Sequence, residues 1–164
     1  MSDQGPRDAS FADGAERPLR LKALDAEDLG VISALVQDAV FNGSDMVFKP
    51  RERRFALLLG RFRWEDKDRA EARRRDYERV RTMLVVEDVQ AVRSQGVPRG
   101  DSETVLSLLS LGWEPGEDGT GTLRLVLAGD GEIEVAVEAL EVVLRDVTRP
   151  YAAPSGKAPG HEEN

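Results

Sequence analysis

The 164-residue chain contains no cysteine. That absence removes disulfide bridges, thiolate nucleophiles, thiolate zinc sites and iron–sulfur ligation together. Histidine is almost as scarce. His161 is the only one, and it sits in a Pro/Gly/Ala-rich ending, PYAAPSGKAPGHEEN. A Ser-His-Asp relay needs its imidazole held within hydrogen-bond reach of a nucleophile, so such a relay and histidine-based metal sites are excluded. Long apolar runs are missing too: none approaches the ~18 residues that cross a bilayer, and no membrane insertion is expected. The opening MSDQGPRDASFADGAERP has no apolar core and carries acids, unlike a secretory signal, which makes the cytoplasm the expected compartment. Lysine is also rare: 19 of the 23 basic residues are Arg, leaving Lys22, Lys49, Lys67 and Lys157. Two readings fit this bias, a preference for the planar bidentate donor at anion sites or the codon drift of a GC-rich genome. The abundance of Ala, Gly and Val favours drift.

What is present is an ordinary globular composition, 40% apolar and 33% charged, at a length that suits one domain with tails. The expected boundaries are a disordered tail over 1–17, one α+β domain over 18–149 and a second disordered tail over 150–164. The net charge is −8, yet it is unevenly spread. Residues 49–81 hold 13 Lys/Arg against 7 Asp/Glu, a net +6 between acidic flanks. Within that tract 49–63 carries +5, whereas 65–81 nearly balances at +1.

Periodicity supplies the elements. Asp25 is placed to cap a helix, with Asp28 at the third position and Leu24 and Leu29 as a hydrophobic staple. Leu29, Ile32, Leu35, Val36, Ala39 and Val40 then share a helical face, and Asn42-Gly43 supplies a stop. Strands follow at 46–49, at 54–64 with a bulge at Gly60, at 80–86 and at 89–93. The charged stretch 65–79 reads as either an exposed helical excursion, with Glu65–Arg69 and Glu71–Arg75 pairs, or a mobile loop. TVLSLLSLGW over 104–113 fits either a buried strand or a short helix capped by Asp101, and the strand is the reading taken because Gly112 and the acidic EPGEDGTG loop cut it short. Leu123, Leu125 and Leu127 alternate up to the Gly129-Asp130-Gly131 turn, and Ile133, Val135 and Val137 alternate after it, which is a hairpin. Leu140, Val143, Leu144 and Val147 fall at i, i+3, i+4, i+7, the spacing of a closing C-terminal helix. The expected fold class is therefore α+β: about seven short antiparallel strands, on the pattern of a small pleckstrin-homology-like barrel, with a helix at each end.

Little chemistry survives this inventory. Glu114, Glu117 and Asp118 occupy a Gly-rich loop but lack the alternating acidic spacing of a calcium site, and Glu132, Glu134 and Glu138 read as the solvated half of the hairpin. No catalytic residue, cofactor or metal is expected, and the reading is of a non-enzyme. The candidate site is the basic tract: Arg51, Arg53, Arg54, Arg61, Arg63 and Trp64, with Arg73, Arg74 and Arg75 beside them. Arginines interleaved with aromatics suit a single-stranded nucleic-acid platform, but they also describe a strand with aromatics inward and arginines in water. The acidic whole, with an isoelectric point near 4.8, disfavours a polyanion. The favoured partner is an acidic protein or another copy of the chain; the alternatives are a nucleic-acid or small-anion binding module and, after them, a carboxylate- and metal-dependent enzyme.

The stretches LKALDAEDLGVISALVQDAV, FALLLGRFRWE, VQAVRSQGV with VLSLL, and IEVAVEALEVVLRDV together resemble an uncharacterised alphaproteobacterial family, domain of unknown function 2948, over roughly residues 18–147. The resemblance implies a single-domain cytoplasmic bacterial protein. It brings no activity and no site residue with it.

Overall fold

Antiparallel pairing dominates the chain. The computed structural model describes residues 17–97, 103–153 and 158–159. Among them run β1 (Arg20–Ala23), α1 (Ala26–Leu35), β2 (Ala39–Asn42), β3 (Met46–Lys49), β4 (Arg54–Phe62), α2 (Lys67–Ala72), β5 (Glu78–Val86), β6 (Val89–Gln95), β7 (Val105–Pro115), β8 (Gly121–Leu127), β9 (Glu132–Val137), β10 (Val142–Asp146) and β11 (Tyr151–Ala152). The strand order is β1-β10-β5-β4-β2-β7-β8-β9-β6, with β3 attached to β4 and β11 to β5. The sheet-rich α+β class holds. The seven-stranded barrel does not: eleven strands form, and the path is open, ending at β1 and β6.

The open path nevertheless curls. β5 and β6 are joined through Glu87-Asp88 alone, yet they stand third and last in the order, so the far end must fold back toward β4 and β5. Asp88 makes that turn at φ 57°, and Val89 N–H donates to Arg53 O at 3.0 Å. The core fills the inside of the curl. Leu57 and Leu59 from β4, Leu84 from β5, Leu123 and Leu125 from β8, Val135 from β9 and Leu144 from β10 are fully buried. Each such side chain contributes about 2 kcal/mol through its removal from water. Leu29 and Ile32 of α1 join the same cluster.

The helix start is as expected, with the Asp25 carboxylate accepting from Asp28 N–H at 2.8 Å. The staple is not formed, since Leu24 is 61% exposed. The helix also stops earlier than its apolar face predicts. Asp38 turns the chain at φ 64°, and Ala39 and Val40 leave to pair with Leu108 and Ser107 of β7. Tertiary pairing wins here over a periodicity that runs on past the helix by coincidence.

The same conflict decides the C-terminus. The expected helix over 140–147 is a strand, β10, which pairs with β1 on one side and β5 on the other. Val142 and Leu144 point inward, and the intervening Val143 and Arg145 point outward. β-Branched residues crowded into EVVLRDV suit a pleated surface better than a helical turn. Beyond it, Tyr151 and Ala152 were expected in a disordered tail but pair with Arg79 and Glu78, and Ala153 N–H donates to Tyr77 O at 2.8 Å. Residues 1–16, 154–157 and 160–164, with His161, lie outside the described residues. No helix among the described residues is long and apolar enough to cross a membrane.

Candidate partner-binding face

β4 passes Gly60 without the expected bulge. Its register against β5 runs Leu59↔Thr82, Gly60↔Arg81, Arg61↔Val80 with no slip. Alternation therefore continues, and the inward position falls on Arg61 instead of Phe62. Arg61 is fully buried. Its Nη1 and Nη2 donate to the two carboxylate oxygens of Glu65 at 2.9 Å each, a bidentate pair. Nη2 also donates to Asp146 Oδ1 at 3.1 Å, and Nε donates to Thr82 Oγ1 at 3.1 Å. Thr82 in turn donates to Asp146 Oδ1 at 2.8 Å, while Leu19 N–H donates to Oδ2 at 2.9 Å. Burial works against the Arg61 charge, but Glu65 and Asp146 outweigh it and hold the guanidinium above its usual value. Burial likewise pushes the Glu65 carboxyl up, and Arg61 more than reverses it, leaving Glu65 below the usual carboxylate range.

Arg63 is buried as well and pairs with Glu78, with Glu65 at 3.6 Å. Phe62, displaced to the outward side, is covered by Trp64 and Tyr77 at ring-centroid distances of 4.6 and 5.5 Å. Trp64 Nε1–H donates to Gln37 O at 3.0 Å. The stretch 65–79 is thus ordered around α2, and its pairs differ from those expected: Lys67–Glu71 at 2.8 Å and Arg75–Asp66 at 2.7 Å.

The Arg-rich strand expected at the surface is consequently turned inward at its far end. Of the nine candidate residues, Arg61 and Arg63 are interior, and Trp64 packs on Phe62. Arg53 pairs with Glu138, Arg54 with Glu87 and Glu52, and Arg75 with Asp66. Arg51, Arg73 and Arg74 are exposed and form no ion pair among the described residues. They do not meet. Arg51 lies before β4 and Arg73 and Arg74 lie after α2, so the length of β4, roughly 26 Å, runs between them.

A different set of cations converges. Arg79 and Arg81 alternate outward on β5, where Val80 and Thr82 face the core. Across the sheet, Arg20 of β1, Arg145 of β10, Met83 of β5 and Leu58 of β4 stand in one register row. The next row runs Lys22, Val143, Val85, Ala56, Val47 from β1 to β3. Arg20, Arg81 and Arg145 form no ion pair among the described residues, and Arg79 donates only from Nη1 to Gly60 O at 3.0 Å. Burial lowers the Arg79 guanidinium from its usual value, and Tyr151 and Asp38 oppose the shift without cancelling it. Lys22 alone has a partner, Glu141 at 3.6 Å. The face is therefore a cationic surface with apolar side chains set between the charges.

The opposite outer face, on β7, β8, β9 and β6, is self-neutralised. Arg124 collects Glu114, Glu132 and Glu134, and Arg93 pairs with Glu134 at 3.0 Å. Those hydrogen bonds raise the Arg124 guanidinium above its already high value and hold the Glu134 carboxyl down. Glu114 thus serves Arg124, and no group of three or more potential metal ligands exists among the described residues.

Sequence reasoning missed Arg20 and Arg145 because register alone brings them together. Arg79 and Arg81 carried a signal in their i, i+2 spacing within a β-branched run, which the sum over 65–81 concealed. No curated protein and no solved structure matches the chain. A family model does match, over residues 19–161, and the chain belongs to that family, described as protein of unknown function, DUF2948.

Proposed function

We propose that the sheet from β1 through β11 forms a non-enzymatic binding domain of the bacterial cytoplasm, which docks an acidic protein on the outward face of β1, β10, β5 and β4. One observation carries the reading: Arg20 and Arg145 stand directly opposite each other without a carboxylate between them. Like charges in cross-strand register weaken a sheet, and an anionic partner removes that cost. The apolar Leu58, Met83, Val85 and Val143 between the cations favour a protein with both acidic and apolar side chains over a bare phosphate backbone. A second copy of the chain is the poorer complement, because Arg124 and Arg93 already occupy the acids of its opposite face.

Affinity capture from the native cell tests this, using the wild type, Arg81→Glu with Arg145→Glu, and Arg73→Glu with Arg74→Glu. The expected result is an acidic protein identified by mass spectrometry, lost with the first pair of substitutions and kept with the second. Retention by Arg81→Glu/Arg145→Glu, or a capture abolished by nuclease, overturns the reading.

A further inference from the structure

A cleft of about 420 Å³ opens at one end of the cationic face, lined among others by Val40, Gly60, Arg79, Arg81, Val105 and Tyr151. Its floor depends on the glycine. β4 meets β2 at the single register pair Val40↔Gly60, and a Cβ at position 60 would lie 3.5 Å from Val40 Cγ2 and 4.0 Å from the Tyr151 hydroxyl. Those are ordinary contact distances, so the missing side chain leaves usable space and relieves no clash. The volume falls within the range of small-ligand sites, on the order of 300–1,000 Å³.

The lining has two chemical halves. Arg79 is half-buried and spends one donor on the Gly60 carbonyl, and Arg81 forms no side-chain hydrogen bond or ion pair among the described residues. Two guanidinium groups two residues apart on one strand face offer planar, paired N–H donors, the geometry that carboxylate and phosphate oxygens accept. Val40, Val105 and Tyr151 make the other half, and all three are exposed. Two acids stand near. Asp45 lines the cleft, but its Oδ2 accepts from Asn42 N–H at 2.8 Å. Asp38 acts on Arg79 without making up for the burial of its charge.

We propose that this cleft binds a small organic anion: a carboxylate or phosphate monoester held by Arg79 and Arg81, joined to a flat apolar body lying against Val40, Val105 and Tyr151. The site shares two arginines with the docking face but stands on the cleft alone, and it needs neither Arg20 nor Arg145.

Amide chemical-shift titration of the isotope-labelled full chain tests it, with phenyl phosphate and benzoate as probes. Inorganic phosphate and benzyl alcohol supply the head and the body separately. Saturable shifts centred on Gly60, Arg79, Arg81 and Tyr151 are expected with at least one probe, and the tighter of the two names the head group. Either half alone should bind about tenfold more weakly or worse, as should Arg81→Gln, which removes a charged donor. Gly60→Leu fills the floor and should abolish the shifts. If that variant loses its native spectrum, Gly60→Ala and Arg81→Gln decide the matter, the first placing a methyl at ordinary contact distance and the second changing an outward side chain. Arg145→Gln should leave the affinity unchanged, which separates failure of the cleft from failure of the docking face. The proposal is overturned if neither probe saturates, or if Arg81→Gln binds as the wild type does.

Discussion

Arg61 and Asp146 meet inside the sheet with Nη2 and Oδ1 3.1 Å apart, across 85 residues of chain. Asp146 also accepts from Thr82 and from Leu19 N–H, so one carboxylate fixes β10, β5 and the entry to β1. Removing Asp146 leaves Thr82 Oγ1–H and Leu19 N–H without their acceptor and Arg61 with Glu65 as its remaining carboxylate, a loss of about 3 kcal/mol. Asp146→Ala should therefore lower the urea midpoint by an amount of that order. The double variant Arg61→Met/Asp146→Ala should lose less than the sum of the two single changes, because each single change already removes the same Arg61–Asp146 interaction. Additive losses in urea denaturation would contradict the network.

Glu65 gives the same network a pH dependence. Its carboxyl is held below the ordinary value of 4.5 when folded, so it binds a proton less readily in the native state than in the unfolded one. The stabilisation is complete above about 4.5 and disappears as pH falls through the lower folded value. Thermal unfolding between about pH 6 and pH 3 should show the wild type losing stability more steeply than Glu65→Gln. The two curves should converge at the acid end, and parallel curves would mean that the pairing with Arg61 adds nothing.

These two residues also mark where the sequence stopped being legible. Alternation identified the strands on either side of Gly129-Asp130-Gly131, and the cap at Asp25 was readable because it is a contact between neighbours. Arg61 was misread for a local reason. Glycine in a strand pattern advertises a bulge, and only pairing to β5 reveals that the register runs through it. The segment over 140–147 satisfies both periods, since its apolar residues fit i, i+3, i+4 as well as the strand that forms. Which one prevails depends on β1 and β5 being available on either side, information that no local window contains. The cationic face was hidden for the same reason: net charge by segment counted Arg79 and Arg81 among their sequence neighbours instead of beside Arg145 and Arg20.

The Arg20–Arg145 pair leads to a prediction opposite in sign for stability and for binding. Cross-strand charge pairs contribute roughly 0.2–1 kcal/mol when opposite, and like charges cost a comparable amount. Arg145→Glu should raise the unfolding free energy by about 1 kcal/mol at low salt, with the gain shrinking as salt screens both terms. The same substitution removes a cation from the proposed docking face and should weaken capture of the acidic partner. A variant that was destabilised at low salt would show that the two arginines are held apart, out of each other's field.

Gly121 opens β8 opposite Pro115 of β7 and Val137 of β9, and it is the tightest glycine in the described sheet. A Cβ there would come within 2.4 Å of Trp113 Cη2 and 2.7 Å of Glu114 O. Trp113 can swing, whereas the backbone carbonyl is fixed by the β7–β8 pairing, so the strand end itself has to yield. Gly121→Ala should cost about 1–3 kcal/mol through overpacking, although alanine is otherwise the milder residue in the unfolded chain. Trp113 reports the event directly, because its indole leaves the glycine surface and its emission should shift toward that of a solvated ring. Gly112 is the control. A Cβ there has nothing within 4 Å, and Gly112→Ala, on the neighbouring strand β7 beside Trp113, should leave both the unfolding midpoint and the Trp113 emission close to the wild type. Equal losses at the two positions would place the penalty in strand propensity instead of the Trp113 contact.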